Sequence, residues 1–131
     1  EDYLLTSTIN GILAQRLVRR LEPTHAERYE ASPEEIERFD LRRLQPQGTI
    51  HLYRPKPSAL APTGYLGRTT IMEFLVMNDA LRRAVMRRDG MGEIERIARE
   101  AGMRTMYEDG LSKALSGQTT LEEVLRVTEE G

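Results

Sequence analysis

The stretch RTTIMEFLVMN, residues 68–78, is where the chain changes its local rule. From Arg68 to Met77 it is rich in β-branched and aromatic residues, with Ile71, Phe74, Leu75 and Val76, and reads as a strand. At Asn78, a good N-cap, the pattern turns helical: Leu81, Ala84 and Val85 share one face, and the helix is expected to stop near Gly90. Ile94, Ile97, Ala98 and Ala101 mark a second helix closed by Gly102. Thr105 and Glu108 read as a capping box opening a third, with Leu111, Ala114 and Leu115, which Gly117 ends. Thr120 and Glu123 form another box before Leu121, Val124 and Leu125. Short loops between short helices imply a compact bundle against a sheet.

Upstream, Thr49 to Arg54 alternates, Ile50 and Leu52 on one side and His51 and Tyr53 on the other. Residues 55–64 hold Pro55, Pro57, Pro62 and Gly64 and must be loop. The sequence therefore predicts an α+β fold, predominantly helical, in which 49–54 and 68–77 pair in a small antiparallel sheet beside the C-terminal bundle. Ser32-Pro33-Glu34-Glu35 is a helix start, with Ile36 and Phe39 on the apolar side, and residues 45–48 break the chain. Over 4–21, the spacing of Leu5, Ile9, Ile12, Leu13, Leu17 and Leu21 predicts a helix, stopped before Pro23.

Composition limits the chemistry. There is no cysteine, so disulfides, thiolate metal sites and a cysteine nucleophile are excluded. A formal net charge of −2 gives no electrostatic reason to expect nucleic acid or an anionic membrane as partner. No apolar run approaches the roughly 18 residues of a membrane span, and no signal peptide is visible. These features favour a soluble cytoplasmic protein. The chain opens on Glu1 within a periodic pattern, which suggests a piece of something longer.

Lys56 and Lys113 are the only lysines. A P-loop needs a glycine-rich turn ending in Gly-Lys-Ser/Thr, so that backbone amides and lysine reach the phosphates. Lys56 lies between Pro55 and Pro57, and Lys113 between Ser112 and Ala114, so neither completes the motif. Glu22 and His25 could supply two metal ligands but have no second cluster to join, and a solvated turn explains them as well. His51 reads as a strand residue. The adjacent pairs Glu34/Glu35 and Glu122/Glu123 fall in first turns of helices, where negative charge suits the dipole, and Glu129/Glu130 belong to a frayed tail. Arg82, Arg83, Arg87 and Arg88 recur at helical spacing and read as a solvated or interface face. No catalytic, nucleotide-binding or metal-binding residue is assigned.

Three stretches carry a resemblance. Residues 9–23 include Gln15-Arg16-Leu17-Val18-Arg19, residues 63–77 begin Thr63-Gly64-Tyr65-Leu66-Gly67-Arg68, and residues 101–127 run from Ala101-Gly102-Met103-Arg104 to Thr119-Thr120-Leu121-Glu122-Glu123-Val124-Leu125-Arg126-Val127. In order and content they resemble the C-terminal region of the type II secretion and type IV pilus assembly ATPases, the GspE type. The resemblance implies a hexameric, cytoplasmic parent that uses ATP and Mg, contacts neighbouring ATPase subunits and inner-membrane platform proteins, and drives assembly of a pseudopilus or pilus. The family's nucleotide-binding boxes have no counterpart here, so this chain alone is expected not to hydrolyse ATP. Members of the family commonly hold zinc with two Cys-x-x-Cys pairs, whose positions align with Glu22, His25, Pro57 and Leu60.

The resemblance divides the chain into residues 1–21, a helix continuing from the nucleotide-binding core, residues 22–67, a cysteine-free counterpart of the zinc subdomain, and residues 68–131, a strand with the helical lobe. Arg68 and Arg104 are either internal salt-bridge residues or contacts to a neighbouring subunit. The competing readings are a free-standing helical adaptor with an arginine-rich face and, more distantly, a nucleic-acid-binding module.

Overall fold

The computed structural model describes residues 11–128. In chain order the elements are β1 (Gly11–Leu21), β2 (Glu27–Glu30), α1 (Pro33–Arg38), α2 (Leu41–Leu44), β3 (His51–Arg54), β4 (Tyr65–Val76), α3 (Asp79–Met86), α4 (Met91–Glu100), α5 (Met106–Leu115) and α6 (Leu121–Thr128). The fold is α+β with small antiparallel sheets, as the sequence implies.

The strand partners differ from expectation. The segment 49–54 does not pair with 68–77. Its ordered part, β3, pairs antiparallel with β2, in the register Glu27↔Arg54, Arg28↔Tyr53, Tyr29↔Leu52 and Glu30↔His51. The polar sequence Glu-Arg-Tyr-Glu hides β2, which is stabilised by cross-strand contacts rather than burial. Arg54 stacks over the Tyr29 ring at 4.0 Å, and the oppositely charged Glu27 and Arg54 face one another.

β4 pairs instead with β1. The end of β1 meets the start of β4, where the Glu22 N–H donates to the Gly64 carbonyl at 3.0 Å, and Gly11 lies against Phe74 and Leu75. Residues 11–21 are thus a strand, not the predicted helix; residues 4–10 of that prediction lie outside the described residues, as do Glu129 and Glu130. The apolar spacing that suggested one helix face falls on both faces of a strand. Ile12, Leu13 and Leu17 remain about half exposed, while Val18 and Leu21 are buried. A long ladder with β4 overrides the local periodicity.

The described residues fall into two compact units. One combines the β1 end up to Gln15 with Met72–Thr105. Here Asn78 Oδ1 accepts the Leu81 N–H at 2.8 Å, as the sequence indicates, and α3 ends at Met86, with Gly90 serving as the N-cap of α4. α4 closes at Gly102, whose φ of +101° suits glycine, and the Met103 N–H returns to the Ala98 carbonyl at 3.1 Å.

The other unit combines Arg16–Ile71 with the chain from Met106 onward. Its core gathers Leu41, Ile50, Leu52, Leu111, Ala114 and Val124. The Ser32 and Glu35 capping box is complete, and the Ala31 N–H donates to the Ile50 carbonyl at 2.9 Å, carrying the strand contact past β2. α5 and α6 approach closely at Gly110, where a Cβ would stand 2.6 Å from Val124 Cγ1.

Candidate functional site

The parts of these stretches that belong to the second unit, residues 16–23, 63–71 and 106–127, meet along one polar seam. Glu123, in the first turn of α6, is fully buried. Its carboxylate accepts the Arg19 backbone N–H at 2.7 Å and the Arg19 guanidinium at 3.1 and 2.9 Å. From one turn along α6, Arg126 donates to it at 3.1 and 2.9 Å. Burial pushes the Glu123 carboxyl upward, but the Arg126 and Arg19 hydrogen bonds outweigh it and hold the group at about 2. Arg19 stacks over the Tyr65 ring at 4.2 Å, the Tyr65 hydroxyl is 3.0 Å from Thr120 Oγ1, and the Thr119 hydroxyl donates to the Arg19 carbonyl at 2.7 Å.

The sequence assigns Thr120 and Glu123 to a capping box. Half of it forms: the Glu123 N–H donates to Thr120 Oγ1 at 3.1 Å. The Glu123 carboxylate is turned to the two arginines instead, because a buried charge demands ionic partners more strongly than a helix end demands a second cap. Both arginines share the one buried carboxylate, and the seam locks β1, β4 and α6 together. Arg43 adds a comparable link, pairing with both Asp40 and the largely buried Glu108.

Both lysines have partners within the chain. Lys113 donates to the Thr70 carbonyl and to Asp109, and Lys56 pairs with Glu27 at 3.5 Å. The loop that holds Lys56 is shaped by Gly64, with φ +83°, whose absent Cβ would strike Pro55 at 2.6 Å.

Glu22 and His25 do come together, with His25 Nδ1 donating to Glu22 Oε1 at 2.7 Å. The carboxylate also accepts the Thr24 N–H at 2.8 Å, the Thr24 hydroxyl at 2.5 Å and the His25 N–H at 3.2 Å. The Thr24 hydroxyl and N–H are the main reason the Glu22 carboxyl lies low, at about 2, despite its burial. Zinc does not fit these residues. Pro57 and Leu60 carry no ligand atom in their side chains, Glu22 has its oxygens committed, and no group of three or more metal-ligating side chains occurs among the described residues.

The remaining candidates take no part in the seam's hydrogen bonds. Arg68 and Arg104 are exposed and form no ion pair among the described residues. Arg87 pairs with Asp89 at 2.8 Å and Arg82 approaches Asp79 at 3.9 Å, while Arg83 and Arg88 are exposed. His51 is a half-buried strand residue opposite Glu30.

The sequence pattern of the family described as Type II/IV secretion system protein matches residues 1–126. The chain belongs to that family. Among curated members, the Type II secretion system protein E of Xanthomonas campestris pv. campestris is 82% identical over 130 residues, which are 99% of this chain and 23% of that protein. The Type IV pilus assembly ATPase PilB of Thermus thermophilus is 41% identical over 99% of this chain and 15% of its own length. The Type II secretion system ATPase E of Vibrio cholerae is 41% identical over 99% of this chain and 25% of its own length. The chain thus spans a quarter or less of the length of these relatives. In this family member Arg19, Tyr65, Thr120 and Glu123 join β1 and β4 to α6.

Proposed function

We propose that this chain is the C-terminal lobe of a hexameric cytoplasmic ATPase that powers type II secretion, and that it serves ring assembly and the transmission of nucleotide-driven motion. The observation that carries the reading is the fate of its charged groups. Both lysines and the buried carboxylates Glu123 and Glu108 are bound in internal pairs, so the lobe is built for rigidity rather than for phosphate chemistry. ATP and Mg then belong to parts of the full-length protein outside this sequence. Residues 22–67 stand as the metal-free counterpart of the family's zinc subdomain.

The secretion reading draws support from the 82% identity to a type II secretion protein, against 41% to the pilus ATPase. Neighbouring subunits of the ring and inner-membrane platform proteins are the partners, and Arg68 and Arg104, exposed and without an ion pair among the described residues, are the contacts to a neighbouring subunit. The lobe sits in the cytoplasm, peripheral to the inner membrane through those partners, and binds no nucleic acid. No helix among the described residues is long and apolar enough to cross a membrane.

The test is phosphate release from ATP with Mg by the purified 131-residue chain and by the full-length protein. The chain alone should release none and the full-length protein should turn over. Turnover by the chain alone overturns the division of labour, and an inactive, monomeric full-length protein overturns the motor itself.

A further inference from the structure

Glu22 is buried, at 2% exposure, yet no arginine or lysine pairs with it among the described residues. A buried carboxylate needs compensation, and here it comes from a single turn. The N–H groups of Thr24 and His25, the Thr24 hydroxyl and His25 Nδ1 all point at its two oxygens. The backbone of the same residue is equally committed. Its N–H donates to the Gly64 carbonyl at 3.0 Å, and its carbonyl accepts the Ala26 N–H at 3.3 Å. The preceding Leu21 N–H reaches the Gln118 carbonyl at 2.9 Å. One residue therefore ties the end of β1 to the loop before β4, while its side chain closes the turn that leads into β2.

Residues 22 and 25 are the positions where the resembling family places its first pair of zinc ligands. A metal would hold such a turn by binding both positions; here the donor set for a metal is missing, but the turn is closed all the same. We infer that the Glu22 carboxylate is a metal-independent clip: an acceptor at the centre of the turn that gathers the donors of Thr24 and His25, while the backbone of the same residue ties the β1–β2 junction to the 55–64 loop. The carboxylate supplies the negative centre, Thr24 the shortest contact, and the half-exposed His25 the outer one. It follows that the segment keeps its shape without divalent cations.

The experiment is hydrogen exchange across residues 21–30 of the full-length protein, with metal content measured on the same sample. Wild type is compared with and without a strong chelator, and with the Glu22→Gln and Thr24→Val variants. Chelation should leave exchange unchanged, and the protein should carry no stoichiometric zinc. Glu22→Gln, which trades a charge-assisted acceptor for a neutral one, should speed exchange of the segment roughly tenfold. Thr24→Val should speed it less. Stoichiometric zinc, faster exchange on chelation, or a Glu22→Gln segment as protected as wild type overturns the inference. Should Glu22→Gln fail to fold, Thr24→Val and the chelator arm decide: wild-type protection in Thr24→Val overturns it as well.

Discussion

Arg19 and Glu123 lie near opposite ends of the chain and are joined by three hydrogen bonds: the Glu123 carboxylate accepts the backbone N–H of Arg19 at 2.7 Å and its guanidinium at 3.1 and 2.9 Å. The arginine is about half exposed and the glutamate is fully buried. That asymmetry sets the energetics. The arginine can return to water if the pair is broken, but the carboxylate cannot.

Removing Arg19 should therefore hurt in proportion to what Glu123 loses. Arg19→Met leaves the backbone N–H and Arg126 in place and should cost about 2 kcal/mol. Arg126→Met should cost about 1 kcal/mol, since both guanidinium bonds and the N–H of Arg19 remain. Glu123→Ala opens a cavity and takes away the acceptor of the Arg19 backbone N–H, and should cost about 3 kcal/mol, although the Thr120 cap, which rests on the backbone N–H of residue 123, survives. Urea midpoints of the purified chain check the order; equal losses for the two arginines would show that the bond network is not asymmetric.

The pH dependence follows from two carboxylates. Glu22 and Glu123 are both held at about 2, below the ordinary value of 4.5. A group whose folded value is depressed binds protons more readily when unfolded, so its stabilisation is complete above the unfolded value and is lost as pH falls towards the folded one. Stability should be flat near neutrality, decline below about pH 4.5 and continue to fall to about pH 2. Denaturant midpoints taken across that range should show the decline, and Glu123→Gln should flatten part of it.

What could be read from the sequence was what depends on neighbours a few residues away. Asn78 as a cap, the Ser32–Glu35 box and Gly102 at a helix end were legible because their partners lie within the same turn. β1 was not, because Ile12, Leu13 and Leu17 fit either period and only the distant β4 decides between them. β2 was hidden by its charges, since Tyr29 earns its place from Arg54 across the ladder rather than from burial. Glu123 shows the limit most clearly. Its local role as a cap was visible, while its ionic partner Arg19 was not, because nothing in either segment points to the other.

The exposed arginines give a contrasting expectation. Arg68→Glu and Arg104→Glu touch no ion pair among the described residues, so each should change the stability of the chain by less than about 0.5 kcal/mol. If the full-length protein forms the proposed ring, the same substitutions should weaken its assembly, seen as a shift to smaller species by light scattering at constant concentration. A normal ring with both charges reversed would remove these residues from the subunit contact.

Gly110 provides the sharpest test of packing. It sits inside α5, where alanine would ordinarily favour the helix by roughly 1 kcal/mol. The structure opposes that gain, because the added methyl would stand 2.6 and 3.1 Å from the two methyls of Val124, a residue with no exposed surface. A short branched side chain locked in a core cannot swing aside, and overpacking of this kind costs about 1–3 kcal/mol. Gly110→Ala should thus be net destabilising. Val124→Ala alone should also destabilise, by leaving a void where its methyls were. Together the two changes should partly cancel, with the new methyl occupying the space the valine gave up, so that the double variant is more stable than the sum of the single losses allows. Strict additivity in a double-mutant cycle would mean that α5 and α6 do not meet at this glycine.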